Sequence, residues 1–305
     1  MKNIFITGAS GCVGHYVFDV LSANPDYHLF LFVRDPARLK FDLGKYSNVT
    51  IVRGEMKEVG QQAELLNKMD YVVHIAAGWG ETELNNEYTI ELFKLLNQSR
   101  IKKVIYFSTA SIMGDNNKVF EGCDKLGTSY IRGKYLAYKE LPKLAIYDRI
   151  ITLFPTWVLG GDSSHPYSHA TMGIIDSVKW LWLMRFLSVD VGFHFIHAKD
   201  MAVVVDYLLK NEVKEKEYIL GNSYILADQF INQMCAYFKK KVYFKIPIPI
   251  DVVEHIAPLF RFNLHAWDKY CLEKKHFEYK VTNPGTFGLK ADYPDVKSIL
   301  VSLNV

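Results

Sequence analysis

The chain has 305 residues, half of them hydrophobic and 23% charged, which is the balance of a folded globular protein and argues against disorder. Its formal charge of +3 is scattered; the nearest basic run, Lys239 to Lys241, reads as a solvated helix end, so a nucleic-acid partner has little support. The four cysteines, Cys12, Cys123, Cys235 and Cys271, have neither CxxC nor Cys/His spacing, which speaks against zinc or a disulfide framework and suits a reducing cytoplasm.

The chain enters an apolar strand almost at once, leaving no room for a secretion signal. In the first half, "NIFITGA", "HLFLFVR", "VTIVRG", "YVVHIAA", "KVIYFSTAS" and "RIITLFPTWVLG" read as strands separated by helical patterns. Such β-α-β alternation with near-continuous apolar strands predicts a Rossmann-type α/β fold, a doubly wound parallel sheet. After Gly160 a Ser/His/Pro-rich loop and a Trp-rich segment leave the sheet. That segment, "GIIDSVKWLWLMRFLSV", is interrupted by Asp176, Lys179 and Arg185 and falls short of the roughly 20 apolar residues of a membrane span. "FHFIHAKDMAVVVDYLL" then reads as a return to the sheet, with Asp200 placed to cap a helix. The expected division is a dinucleotide-binding domain of residues 1–160 plus about 193–216. A smaller α+β substrate domain would take about 161–192 and 217–305.

Gly8, Gly11 and Gly14 form GxxGxxG between the first strand and a helix starting near Cys12. The first glycine permits a tight turn, the second the approach of a pyrophosphate, and the third close packing of helix on strand. The helix N-terminus adds free N–H groups and a favourable dipole. The loop residues Ser10, Gly11, Cys12 and Val13 are therefore candidate cofactor contacts. The second strand ends in Val33-Arg34-Asp35. An acidic residue at this point selects NAD, whereas an arginine accommodates the 2′-phosphate of NADP. Arg34, with Arg38 and Lys40 nearby, favours NADP because a guanidinium can hold a phosphate through two parallel hydrogen bonds; Asp35, if it points inward, favours NAD.

Tyr130 and Lys134 stand at i and i+4 on a helix, and an ammonium beside a phenol lowers its pKa toward the working range. A second pair, Tyr135 and Lys139, has the same spacing. The first is preferred because "YFSTASIMG" ends the fifth strand with hydroxyls at the carboxyl edge, where a parallel sheet hosts its ligand. Thr109, Ser108 and Ser111 compete there to orient a substrate oxygen.

The ordered series "TGASGCVG", "VVHIAAG", "NNEYTIELFKLL", "VIYFSTASIMG", "YIRGK", "LFPTWVLG" and "FIHAKDMA" resembles the extended short-chain dehydrogenase/reductase superfamily, the NAD-dependent epimerase/dehydratase group. "FVRDPARL" resembles its NADPH-dependent dihydroflavonol-reductase-like branch. The resemblance implies Tyr130 as acid/base, Lys134 on the nicotinamide ribose, Thr109 on the reacting oxygen and Pro155 beside the nicotinamide. It also brings Glu55, Met56, Ala76, Ala77 and Gly78 to the cofactor. Four departures stand out: Glu55 for the family's Asp, Thr89 for its Gly, Met113 for its Tyr, and Gly160-Gly161 for its frequent Gly-Pro.

The implied activity is reversible, NADP- or NAD-dependent reduction of a small-molecule ketone or aldehyde. The aromatics Trp180, Trp182, Phe186, Phe193 and Phe195 are expected either to face an apolar substrate or to build the small domain's core. The alternatives are a nucleotide-sugar epimerase or dehydratase with tightly bound NAD, for which Arg185 and Arg261 are candidate diphosphate ligands, and a non-catalytic dinucleotide-sensing regulator. His165, His169, His194 and His197 match no metal spacing and read as structural or substrate-loop residues. The helices "EYTIELFKLL" and "YLAYKELPKL" offer faces for a homodimer.

Overall fold

In the computed structural model the described residues are 1–249, 252 and 265–303. Chain order gives β1 (Lys2–Thr7), β2 (Tyr27–Val33), β3 (Val49–Arg53), β4 (Tyr71–His74), β5 (Lys103–Phe107) and β6 (Ile150–Pro155). There follow β7 (Trp157–Leu159), β8 (Leu187–Ser188), β9 (Gly192–Phe193), β10 (Phe195–His197) and β11 (Glu217–Leu220). Seven of these form one parallel sheet in the order β11-β6-β5-β4-β1-β2-β3. Every residue of β4, β5 and β6 is buried, as expected for strands covered on both faces. The chain order reverses between β1 and β4, and at such a switch point the carboxyl ends of the strands open into a crevice.

The helices are α1 (Cys12–Ser22), α2 (Ala63–Leu66), α3 (Thr82–Asn85), α4 (Glu87–Lys94), α5 (Cys123–Leu126), α6 (Ser129–Glu140), α7 (His169–Val178), α8 (Leu181–Met184), α9 (Ala198–Lys210) and α10 (Ala227–Tyr237). Alternation along β1 distributes them. Ile4 and Ile6 point into the layer where Val17 and Leu21 of α1 meet Met201 and Val205 of α9, while Phe5 points into the opposite layer with Phe93 of α4 and Ala137 of α6. Each fully buried aliphatic or phenyl side chain there contributes about 1.5–3 kcal/mol of transfer free energy. A third core lies apart from the sheet. It joins Ile174, Leu181, Phe195, Phe230 and Met234 to Ile299 and Leu300 of the helix Val296–Ser302.

The path after β6 differs from the sequence reading in three places. "RIITLFPTWVLG" is two strands, because the Thr156 backbone N–H and hydroxyl both turn to the Leu220 carbonyl (3.0 and 2.8 Å) and β7 leaves the sheet. Among the described strands β10 pairs only with β7, so the chain rejoins the sheet at β11, which moves residues 217–220 from the expected smaller domain to the sheet. The cap of α9 is His197, which accepts from the Lys199 N–H. Asp200 is buried in the first turn and instead accepts from the backbone N–H groups of Asp292 and Tyr293 at 2.9 and 3.1 Å, tying the C-terminal segment to α9.

Candidate active site

A cleft of about 1200 Å³ runs along the carboxyl edge of the sheet, and it is lined by the preferred catalytic set Thr109, Tyr130 and Lys134 together with the loop, Arg34 and family-implied cofactor residues. Gly8, Ser10, Gly11, Cys12, Val13 and Gly14 form its floor, Arg34, Glu55 and Met56 one end, and Ala76, Ala77, Gly78, Thr109, Tyr130, Lys134 and Pro155 the other. The three loop glycines differ in what demands them. Gly8 has φ +76° and a Cβ there would lie 2.6 Å from the Ala76 N, while a Cβ at Gly14 would overlap the Gly8 carbonyl and sit 2.6 Å from the Ala9 Cα. Gly11 is exposed, with ordinary φ −89°, and a Cβ there would meet only the Gly8 carbonyl at 3.5 Å. The fold itself therefore needs Gly8 and Gly14, whereas Gly11 keeps open space in the cleft beside the N-terminus of α1, which has no side-chain cap. That cradle fits a pyrophosphate: free N–H groups, a positive dipole end and room for close backbone approach.

The distinction is testable. Gly14→Ala is expected to cost about 3 kcal/mol of stability through overpacking. Gly11→Val should leave the melting temperature nearly unchanged and weaken dinucleotide binding by about tenfold or more. Calorimetry and fluorescence titration of the two variants read the two effects separately.

At the nucleotide end, Asp35 also borders the cleft, but its carboxylate is engaged as a cap: its Oδ1 accepts from the Ala37 N–H at 3.0 Å. Arg34 and Arg38 line the cleft with exposed side chains. The loop and this turn are joined by His15, whose Nε2 accepts from the Lys40 N–H (3.0 Å), so that its Nδ1–H donates to the Gly11 carbonyl (2.9 Å). Lys40 thus contributes through its backbone. Glu55 pairs with Lys57 at 2.8 Å, and this ion pair holds its carboxyl below the usual range.

Between β1 and β4 lies a buried relay that sequence reasoning passed over. Thr89 gives its hydroxyl proton to the Leu84 carbonyl (3.1 Å) and so accepts from His74 Nε2–H (2.9 Å). His74 Nδ1 then accepts from the Thr7 hydroxyl (2.7 Å), whose oxygen takes the Ile75 and Ala76 N–H groups (3.2 Å each). Thr89, the departure from glycine, is thus a member of the chain. His74 is held neutral, its pKa pushed well below 6.5 by burial and then by Lys134. Asn85, also buried, bonds both the N–H (3.1 Å) and the carbonyl (2.7 Å) of Gly78. Together they fix the Ala76–Gly78 wall.

The two Tyr/Lys pairs on α6 face different surroundings. Tyr135 donates to Glu121 at 2.6 Å and Lys139 to the same carboxylate at 3.2 Å, outside the cleft. Lys134 is 1% exposed and donates to the carbonyl of Phe107, the last residue of β5, at 2.7 Å. Burial alone drives its pKa down to about 7. Tyr130 is raised above its ordinary 10 by burial, opposed by a hydrogen bond with the Thr109 side chain; this is the reverse of the lowered phenol expected from the Lys134 neighbour. Among the three hydroxyls, Thr109 is the one that offsets the upward push on the Tyr130 phenol. It also donates to Ser111 Oγ (3.1 Å) and accepts from the Ser111 N–H (3.2 Å).

Trp79 covers Tyr130, ring on ring, with centroids 4.6 Å apart and 26° between planes, and it also meets the His169 ring edge to face. With Trp157, Tyr167 and Trp267 it makes the far end of the cleft aromatic. None of these was singled out in the sequence. The aromatics that were, Trp180, Trp182, Phe186, Phe193 and Phe195, do not line the cleft; Phe195 is core, and Trp180 and Trp182 face solvent. His165 bridges Asp19 (2.7 Å) and Asp162 (2.8 Å), and His194 bonds the Asn222 carbonyl. Gly161, in place of proline, has φ +115°, which a proline ring locked near −65° cannot adopt.

Curated relatives match only in part. An uncharacterized protein of Methanocaldococcus jannaschii is 24% identical over 39% of this chain and 43% of its own length. A decarboxylating sterol-4-alpha-carboxylate 3-dehydrogenase of Dictyostelium discoideum is 30% identical over 37% of this chain and 36% of its own length. The chain thus spans well under half of each. Solved structures match throughout. The terminal R domain of the myxalamid PKS-NRPS pathway gives TM-score 0.72 at 20% identity, covering 99% of this chain and 89% of that one. A UDP-N-acetylglucosamine 4-epimerase of Methanobrevibacter ruminantium gives 0.67 at 16%, covering 99% and 97%. At these identities the likeness is one of fold. The model of the NAD dependent epimerase/dehydratase family matches residues 4–221, from the first strand through the seventh and across the whole of the cleft floor, and the chain belongs to that family.

Proposed function

We propose that the protein is a nicotinamide-dinucleotide-dependent oxidoreductase that reversibly reduces an apolar ketone or aldehyde, with NADP preferred. The observation that carries this reading is the separation of chemistry along the cleft. Among the described residues its cationic side chains are Arg34, Arg38 and Lys57 at the nucleotide end and Lys134 in the middle, while the end beyond Tyr130 is walled by Trp79, Trp157, Tyr167 and Trp267. An aromatic wall suits an apolar carbonyl compound better than a sugar diphosphate. Arg185, the candidate diphosphate ligand of the epimerase reading, points elsewhere: its Nη1 donates to the Lys241 carbonyl at 3.0 Å. Arg261 lies outside the described residues.

The loop from Ser10 to Gly14 would hold the pyrophosphate, Arg34 the 2′-phosphate, Glu55 and Met56 the adenine side, and Ala76 to Gly78 with Pro155 the nicotinamide side. A nicotinamide dinucleotide held there would supply the hydride for the carbonyl carbon. Thr109 positions the carbonyl oxygen and Tyr130 gives it a proton, roles that a phenol kept protonated by burial suits at neutral pH. Lys134, its pKa brought to about 7 by burial, would return a proton from its ammonium to the phenolate that forms and be reprotonated from solvent. In the same reading the small unit around the third core selects the substrate. Arg34→Ala is expected to weaken NADPH about 10- to 100-fold and NADH by less than about threefold. Equal losses for the two, read by fluorescence titration, would remove the phosphate role.

A further inference from the structure

The Trp-rich segment and the lysine run, far apart in sequence and absorbed by no part of the cleft, are one surface. Ile246 pairs with Leu187 of β8, Phe186 stacks on Phe244 at 4.9 Å, and Arg185 reaches the Lys241 carbonyl. On this surface Trp180 is 59% exposed, Trp182 58%, Tyr243 74% and Phe244 57%, with the aliphatic Leu183 and Ile246 exposed between them. Exposed apolar rings and aliphatics in one contiguous patch mark an interaction site.

Charge decides what it meets. From Ser177 to Val189 and from Gln229 to Pro249 there is no Asp or Glu, whereas Lys179, Arg185, Lys239, Lys240, Lys241 and Lys245 fall inside these stretches. Lys179 and Lys245 are paired with Asp176 and Asp228. Lys239, Lys240 and Lys241 are exposed and form no ion pair among the described residues. A second copy of the chain seated symmetrically here would set these cations against themselves. Stacking on nucleic-acid bases would leave Leu183 and Ile246 without a function. Indole and phenol rings beside aliphatics and lysines are instead the side chains that settle at a water–hydrocarbon boundary under anionic headgroups.

We propose that this patch docks the protein on an anionic lipid surface. No described helix is long and apolar enough to cross a membrane, so the attachment is peripheral. The test is co-sedimentation of the full chain with vesicles of phosphatidylcholine and with an equimolar mixture of phosphatidylcholine and phosphatidylserine. Wild type is expected to pellet with the mixed vesicles, to stay in solution with phosphatidylcholine alone, and to be released by high salt. Trp180→Ser with Trp182→Ser, and separately Lys239→Ala with Lys240→Ala and Lys241→Ala, should each lower the partition coefficient about tenfold or more. Both should keep the wild-type melting temperature and dinucleotide affinity. The proposal is overturned if wild type ignores the mixed vesicles, if both variants bind like wild type, if the tryptophan pair instead holds a dimer that the variant dissolves without vesicle binding, or if an RNA oligonucleotide is bound and the vesicles are not.

Discussion

Replacing Tyr130 with phenylalanine is expected to lower kcat for carbonyl reduction by about 10²- to 10⁴-fold, with KM and dinucleotide affinity close to wild type. The substitution removes one oxygen and keeps the ring, so the stack on Trp79 at 4.6 Å and the packing of α6 survive. What is lost is the hydroxyl proposed to donate the proton. Tyr135, at the same helical spacing from its own lysine, cannot replace it because its hydroxyl is committed to Glu121. Tyr135→Phe is therefore the control and should leave kcat within about twofold of wild type. Equal turnover in the Tyr130→Phe and wild-type proteins would place the acid elsewhere.

The second large effect is on stability and comes from Lys134. Its ammonium ordinarily titrates at 10.5 and burial lowers this to about 7 in the folded chain. Between those values the unfolded chain holds a proton that the folded chain lacks, so the wild type gains stability as pH rises, and below about 7 the cost of a buried charge is present in full. Lys134→Met has no such group. The stability difference between wild type and variant should therefore shift in favour of wild type from pH 7 to pH 9, by up to about 1.4 kcal/mol per pH unit. The Phe107 carbonyl left without its 2.7 Å donor is a constant penalty across that range. Of the titratable groups around Lys134, His74 is held neutral throughout it and Tyr130 stays protonated, so neither reproduces the slope. Denaturant melts at several pH values give the comparison directly, and parallel curves would contradict the buried-ammonium account. A lysine that weakens the folded state near neutrality is the stability cost expected of the proton-sharing role proposed for it.

Much of this was legible in the residues themselves. Near-continuous apolar strands specified a parallel sheet, and "TGASGCVG" placed the start of α1 at Cys12, because those signals are local. Non-local features escaped. Nothing in "RIITLFPTWVLG" announces that Thr156 will bond Leu220 and divert β7, nor that β10 will pair outside the main sheet. Asp200 had the composition of a cap, yet its carboxylate went to the chain 92 residues later, and His197 took the cap. The aromatic end of the cleft escaped for a similar reason. Trp180 and Trp182 advertise themselves by clustering, whereas Trp79, Trp157 and Trp267 converge only in space. The signal that was available for Trp79 is its place directly after the Gly78 that ends the β4 loop.

The account stands most directly on one measurement: NADPH consumption by the purified chain across a panel of apolar ketones and aldehydes, run beside Tyr130→Phe. It predicts that added NADPH is consumed by wild type with at least one aromatic or aliphatic carbonyl compound and that the variant's rate collapses. A protein that retains stoichiometric NAD through purification and consumes no NADPH with any member of the panel would contradict it.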